Sequence, residues 1–170
     1  KQYDLAIPRY IEFIRLRAAG EERQAALFRL GESQRALERP AEAMAAYGKL
    51  VAEYRTGEFL GPAAYRLGEM QFTGKDFEGA AASFHIAAQN VRDPKLRLAS
   101  KFFEGRSLDS AGRKVEALSA YREVVAQKED NPYRERALFD LADADARAGL
   151  TDSAFRQFRK LAEAAEQPQV

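Results

Sequence analysis

The sequence predicts an all-α solenoid built from antiparallel helix pairs, and three observations carry that prediction. Gly31, Gly68 and Gly105 stand 37 residues apart. Ala43, Ala80, Ala117 and Ala154 keep the same step, as do Tyr47, Phe84, Tyr121 and Phe158. Within each period the apolar residues recur at helical spacing, and no segment carries a strand signal. A fixed period of this length marks a unit that cannot bury its apolar face alone, so neighbouring units stack.

Residues 24–61 serve as the reference unit. Ala26, Leu27, Leu30, Gly31 and Gln34 form one helical face, followed by a break at Glu38-Arg39-Pro40. Ala43, Tyr47, Leu50 and Val51 then fall at i, i+4, i+7 and i+8, the apolar face of a second helix. Pro40 suits the first turn of that helix, where its missing N–H costs nothing. Two helices cross closely only where side chains are small. Gly31, Gly68, Gly105 and Ala142 therefore mark one crossing, the Ala43 series marks the reciprocal one, and the Tyr47 series fills the space beside it. Between units, Asp93 and Asn131 read as N-caps followed by proline at the first helical position. With Thr56-Gly57-Glu58 they are expected to lengthen each first helix at its start.

Four complete units follow from this register, over residues 20–57, 58–93, 94–130 and 131–170, in one continuous domain. Residues 1–19 hold the second helix of an incomplete unit. Tyr3, Ala6, Tyr10, Phe13 and Ile14 fall one period before Pro40, Ala43, Tyr47, Leu50 and Val51. Pro8 is expected to kink that helix. Residues 162–170 turn polar around Pro168 with no clear capping helix, so the array is expected to continue beyond both ends in a longer protein. The third unit departs from the pattern. Lys101 stands where the others have Leu27, Ala64 and Leu138, and Glu104 where they have Leu30, Leu67 and Leu141. A buried Lys–Glu pair is costly. The expectation is that Phe103 turns into the core and leaves the pair near water.

Several kinds of chemistry lack their parts. With 27 Lys and Arg against 26 Asp and Glu, there is no basic stripe for nucleic acid, and none is expected as a partner. The absence of cysteine removes disulfides, thiolate metal sites and thiol catalysis. His85 is the single histidine, too few for a histidine metal site or a Ser-His-Asp triad, and reads as a surface or partly packed side chain. Residues 68–76 resemble a phosphate loop only superficially, because Asp76 replaces the Ser/Thr that would hold magnesium. Asp140, Asp143 and Asp145 lie on a helix rather than a tight loop, and Arg106 and Arg147 are placed to pair with them. No catalytic, metal or cofactor residue is assigned, and no apolar run is long enough to span a bilayer.

The pattern resembles the tetratricopeptide repeat. Residues 65–88 match it best through Leu67-Gly68, Phe72, Gly74, Phe77, Ala80, Phe84 and Ala87, and residues 26–34 and 137–145 open their units in the same style. The resemblance implies a right-handed superhelix whose first helices line the concave face. That places Phe28, Tyr65, Phe102 and Phe139 along the wall, with Arg29, Arg66, Phe103 and Asp140 beside them. Glu32, Glu69, Arg106 and Asp143 lie a turn further on. Such a row offers apolar anchoring and orientation to a peptide or partner helix. The competing account is that the rings only wedge between successive first helices. The carboxylate clamp of chaperone adaptors is missing, because Phe28 and Glu32 occupy its first pair of positions.

The function implied is a non-catalytic scaffold that holds a partner protein. The usual period is about 34 residues. The longer one is similar to bacterial envelope proteins, namely the TolA-binding cell-division coordinators and the lipoprotein of the outer-membrane β-barrel assembly machinery. It implies a periplasmic or outer-membrane-associated setting. Two other roles fit the same sequence: a structural spacer that self-associates through its open ends, and the regulatory repeat region of a larger enzyme or signalling protein.

Overall fold

A computed structural model of the chain describes residues 2–127 and 131–165. Among them there are nine helices and no strand: α1 (Tyr3–Leu16), α2 (Glu21–Ala36), α3 (Pro40–Glu53), α4 (Leu60–Thr73), α5 (Phe77–Asn90), α6 (Pro94–Ser110), α7 (Lys114–Ala126), α8 (Arg134–Arg147) and α9 (Thr151–Ala165). Each helix packs against the one before it and the one after it, which is the contact pattern of a solenoid. The first helices of the pairs are α2, α4, α6 and α8. The second helices are α3, α5, α7 and α9, and α1 stands at the register of a second helix.

The turn inside each pair follows the same 37-residue register. Glu38, Lys75, Gly112 and Gly149 all adopt positive φ, at 57°, 64°, 80° and 79°. In each, the next residue's N–H reaches back across the turn: Arg39 to Gln34 O, Asp76 to Gln71 O, Arg113 to Leu108 O and Leu150 to Asp145 O, at 2.8–2.9 Å. This left-handed closure satisfies carbonyls that the helix end leaves open. Glycine adopts it freely, whereas Glu38 and Lys75 pay for a Cβ in that region.

Between pairs the expectations divide. Asp93 caps α6 by accepting from Lys95 N at 3.0 Å, with Pro94 as the first helical residue, and α6 gains length there to reach 17 residues. Asn131 does not cap α8, which starts at Arg134. Its carboxamide instead accepts from Tyr133 N and donates to Val124 O and Gln127 O, tying the end of α7 to the turn. The residues around Gly57 form a turn rather than an extension of α4. Helix α1 runs through Pro8 from Tyr3 to Leu16 without a break. Residues 166–170, with the polar end and Pro168 noted above, lie outside the described residues, as do Lys1 and residues 128–130.

The glycine series has a specific role. A methyl at Gly31 would fall inside the Tyr47 ring, one at Gly68 would lie 3.0 Å from Phe84, and one at Gly105 would lie 2.8 Å from Tyr121. Each ring therefore lies directly on the backbone of the first helix of its own pair, and these three rings are almost wholly buried. Burying a ring of this size contributes roughly 3 kcal/mol, so these joints hold each hairpin closed.

Candidate functional site

The face expected to form the inner wall lies on α2, α4, α6 and α8, and the structure sorts its aromatic row into different environments. Phe28 is half-buried against Tyr47 and Phe59, at 6.0 and 5.3 Å between ring centroids. Phe102 is buried and stacks on Tyr133 at 5.1 Å. Tyr65 is half-buried beside Phe84 and Phe103. Phe139 is 48% exposed, with Phe158 at 6.0 Å. Phe102 thus supports the wall from behind, while the other three keep an accessible edge.

The third unit corrects one expectation. Phe103 does not displace its neighbour from the core: Phe102 is the buried residue and Phe103 is half-buried. Phe103 stacks on Phe84 at 5.5 Å and meets Tyr65 and Tyr133 edge-on at 6.4 and 6.2 Å. The result is a continuous aromatic surface across α4, α6 and the start of α8. Glu104, expected near water, is instead 7% exposed. The helix keeps its register because Phe102 already fills the core, so Glu104 must find partners in place. It accepts from His85 Nδ1 at 2.8 Å, and Lys101 Nζ stands 3.1 Å from its other oxygen.

Charges on the wall are cross-linked between units. Glu32 accepts from the Tyr47 hydroxyl at 2.5 Å and pairs with Arg35 and, across the repeat boundary, with Arg66. Burial alone would raise the Glu32 carboxyl, but these hydrogen bonds and cations outweigh it and hold it below its usual range. Arg66 also pairs with Glu69 at 2.9 Å. Arg29 is exposed and is not paired with Glu32.

Arg106 lies over the Phe72 and Phe102 rings at 5.5 and 6.0 Å and acts on Asp140 only as a nearby charge. The bridge to the fourth unit comes from Arg147, which joins Asp109 and Asp143 at 2.9 and 3.0 Å. Asp140 pairs with Arg136, but burial dominates and raises its carboxyl above the usual value. One oxygen of Asp140 and one of Asp109 are buried with no hydrogen-bond donor. Among the described residues no group of three or more His, Cys, Asp or Glu is placed to hold a metal ion, and no helix is long and apolar enough to cross a membrane.

Sequence reading missed Tyr133, Phe72, Asp109 and Arg35 as parts of this wall. Phe59 and Tyr133 are two periods apart, and each covers an aromatic of the preceding unit, Phe28 and Phe102. That spacing was the available signal.

The class of protein follows from this geometry: a solenoid of stacked helix hairpins with a row of aromatic and charged side chains along its first helices. The family model described as Tetratricopeptide repeat matches residues 25–56, the first complete unit. None of the curated proteins matches the chain. Solved structures share the architecture. The crystal structure of MamA superposes with a TM-score of 0.69 at 24% identity, covering 96% of this chain and 89% of that one. The nearly identical TPR-like repeats of a putative kinesin light chain from Podosopora anserina give 0.66 at 19% identity, covering 99% and 90%. YrrB, described as a TPR protein with an unusual peptide-binding site, gives 0.69 at 19% identity, covering 95% and 77%. At these identities the likeness establishes the fold, a tetratricopeptide-type solenoid.

Proposed function

We propose that this protein is a non-catalytic interaction scaffold whose inner wall holds a peptide or partner helix. The observation that carries this reading is the aromatic surface of Tyr65, Phe103 and Tyr133, accessible along its edge and bordered by Arg66, Glu69 and Arg106. Half-buried rings offer rigid apolar area at little entropic cost, and the charges set the direction of an extended ligand. The likeness to a solved protein with a peptide-binding site supports it. The 37-residue period supports a place in a bacterial envelope assembly, periplasmic or attached to the outer membrane.

The test uses peptides selected from a random library against the intact chain. Tyr65→Ala with Phe103→Ala is expected to weaken capture by at least about thirtyfold, since two anchor rings each contribute on the order of 1–2 kcal/mol or more. Helical content should stay near that of the parent. Unaltered capture by the double variant contradicts the reading.

A second reading rests on a separate observation. Large exposed apolar side chains concentrate at the two ends: Leu5, Ile11 and Leu16 on α1, and Phe155 and Phe158 on α9. Patches of this kind support self-association. Sedimentation over a range of concentrations checks it, and Phe155→Glu is expected to shift the protein toward monomer. A monomer at every concentration removes this reading and leaves the scaffold.

A further inference from the structure

We infer that the hollow between α5 and α7 on the outer face binds the guanidinium or ammonium group of a basic partner segment. It is separate from the inner wall, because its sides are second helices and its floor is α6. The hollow measures about 570 Å³ and is lined by His85, Lys101, Glu104, Arg113, Glu116 and Glu123 together with small apolar residues. In the first unit the same floor positions are Leu27 and Leu30, and in the fourth they are Leu138 and Leu141. In the second unit they are Ala64 and Leu67, so packing asks for apolar residues here, and the chain supplies charge instead.

The electrostatics give that departure a direction. Glu104 is more than nine-tenths buried and lines the hollow. His85 holds one of its oxygens. The other, Oε2, is buried with no aligned hydrogen-bond donor, since Lys101 Nζ lies 3.1 Å away as an ion pair but out of line. Lys101 is shared with Glu123, also at 3.1 Å, so one ammonium serves two carboxylates. At the other end Arg113 is shared between Glu78 and Glu116. Three carboxylates, Glu104, Glu116 and Glu123, thus line one cavity with two permanent cations, Lys101 and Arg113, and Glu78 draws on Arg113 from outside it. A buried carboxylate short of a donor is costly, and an incoming guanidinium supplies planar, paired donors and the missing positive charge. The corresponding space over α8 is bordered by Arg122, Arg156 and Lys160, so the acidic character belongs to this hollow and not to the outer face in general.

The experiment titrates the intact chain at low ionic strength with acetyl-Ala-Arg-Ala-amide, and in parallel with acetyl-Ala-Glu-Ala-amide. The ring signals of His85, the single histidine, and the amide signals of α5 and α7 are followed by NMR. The arginine peptide is expected to give saturable shifts confined to these groups, and the glutamate peptide none. Glu104→Leu restores the residue found in the other units and should fold. Glu104→Gln keeps the shape and provides the same answer if the leucine variant does not fold. Either is expected to weaken arginine-peptide binding at least about tenfold. The inference is overturned if shifts do not saturate, if they spread evenly over the acidic surface, or if Glu104→Gln binds as the parent does. Loss of inner-wall capture by the Tyr65/Phe103 variant would leave this result untouched, so the two readings fail separately.

Discussion

The first and last hairpins solve the same packing problem with different parts. In the first, Tyr47 lies on Gly31, is 0% exposed and donates its hydroxyl to Glu32. In the last, Phe158 stands at the register of Tyr47 and Ala142 at that of Gly31; the ring has no hydroxyl and is 39% exposed. Phe28 in the first unit is covered by Phe59 of the second, whereas Phe139 keeps nearly half its surface in water. A closed joint thus needs a glycine that lets the ring reach the backbone: Phe84 on Gly68 is as buried as Tyr47 on Gly31 although it has no hydroxyl to place. The last hairpin has alanine in place of that glycine.

The largest difference should appear when the rings are removed. Tyr47→Ala is expected to cost about 3–5 kcal/mol, measured as a fall in the urea midpoint, because a filled core site becomes a cavity. Phe158→Ala should cost less than about 1 kcal/mol, since the ring is already partly in water. Equal losses would mean that the last joint is as tight as the first.

Overpacking comes next. Gly31→Ala forces its methyl into the Tyr47 ring and is expected to cost about 1–3 kcal/mol, despite alanine's better helix propensity. Ala142→Gly should lower stability only by the helix term, about 1 kcal/mol. A stabilised Gly31→Ala would show that the ring has room to move.

The inner-wall carboxylates give a contrast in pH, with opposite signs. Glu32 is lowered in the folded chain, so its contribution is present above the ordinary carboxylate value and lost as pH falls through the lowered one. Glu32→Gln should therefore reduce the urea midpoint at pH 7 and have little effect near pH 3. Asp140 is raised, so folding favours its protonated form. That advantage exists at low pH and is lost as pH rises through the raised value. Asp140→Asn should raise the midpoint at pH 7, with the gap closing below about pH 4. Each effect is expected to be under about 1 kcal/mol, and matching signs in the two variants would contradict the assignment.

The smallest change is local. Lys75→Gly relieves a Cβ at positive φ and should stabilise by about 0.5–1 kcal/mol, while Gly112→Lys, one period on, should destabilise by a similar amount. Thermal melting of the pair checks this.

These contrasts also explain what was legible in the sequence. Gly31, Ala43 and Tyr47 repeat because each repeat needs the same backbone contact, so periodicity exposed the fold and its packing code. The turn at Glu38 and Lys75 was not legible, because the same φ appears with Glu, Lys and Gly and leaves no residue-type signature. Arg66 pairs with Glu69 three residues on and also reaches Glu32 of the neighbouring unit. Long side chains choose among partners a turn away in space, and residue spacing alone does not rank them. Glu104 was misplaced because a charge at a core position reads as a reason for the helix to rotate. The structure keeps the helix in register and brings His85 and Lys101 to the charge.

Hydrogen exchange on the complex with a library-selected peptide measures directly which face the partner occupies. The account predicts added protection in α4 and α6 around Tyr65 and Phe103 and at Tyr133 before α8, with α3, α5 and α7 unchanged. Protection confined to those second helices, or to α1 and α9 alone, would contradict it.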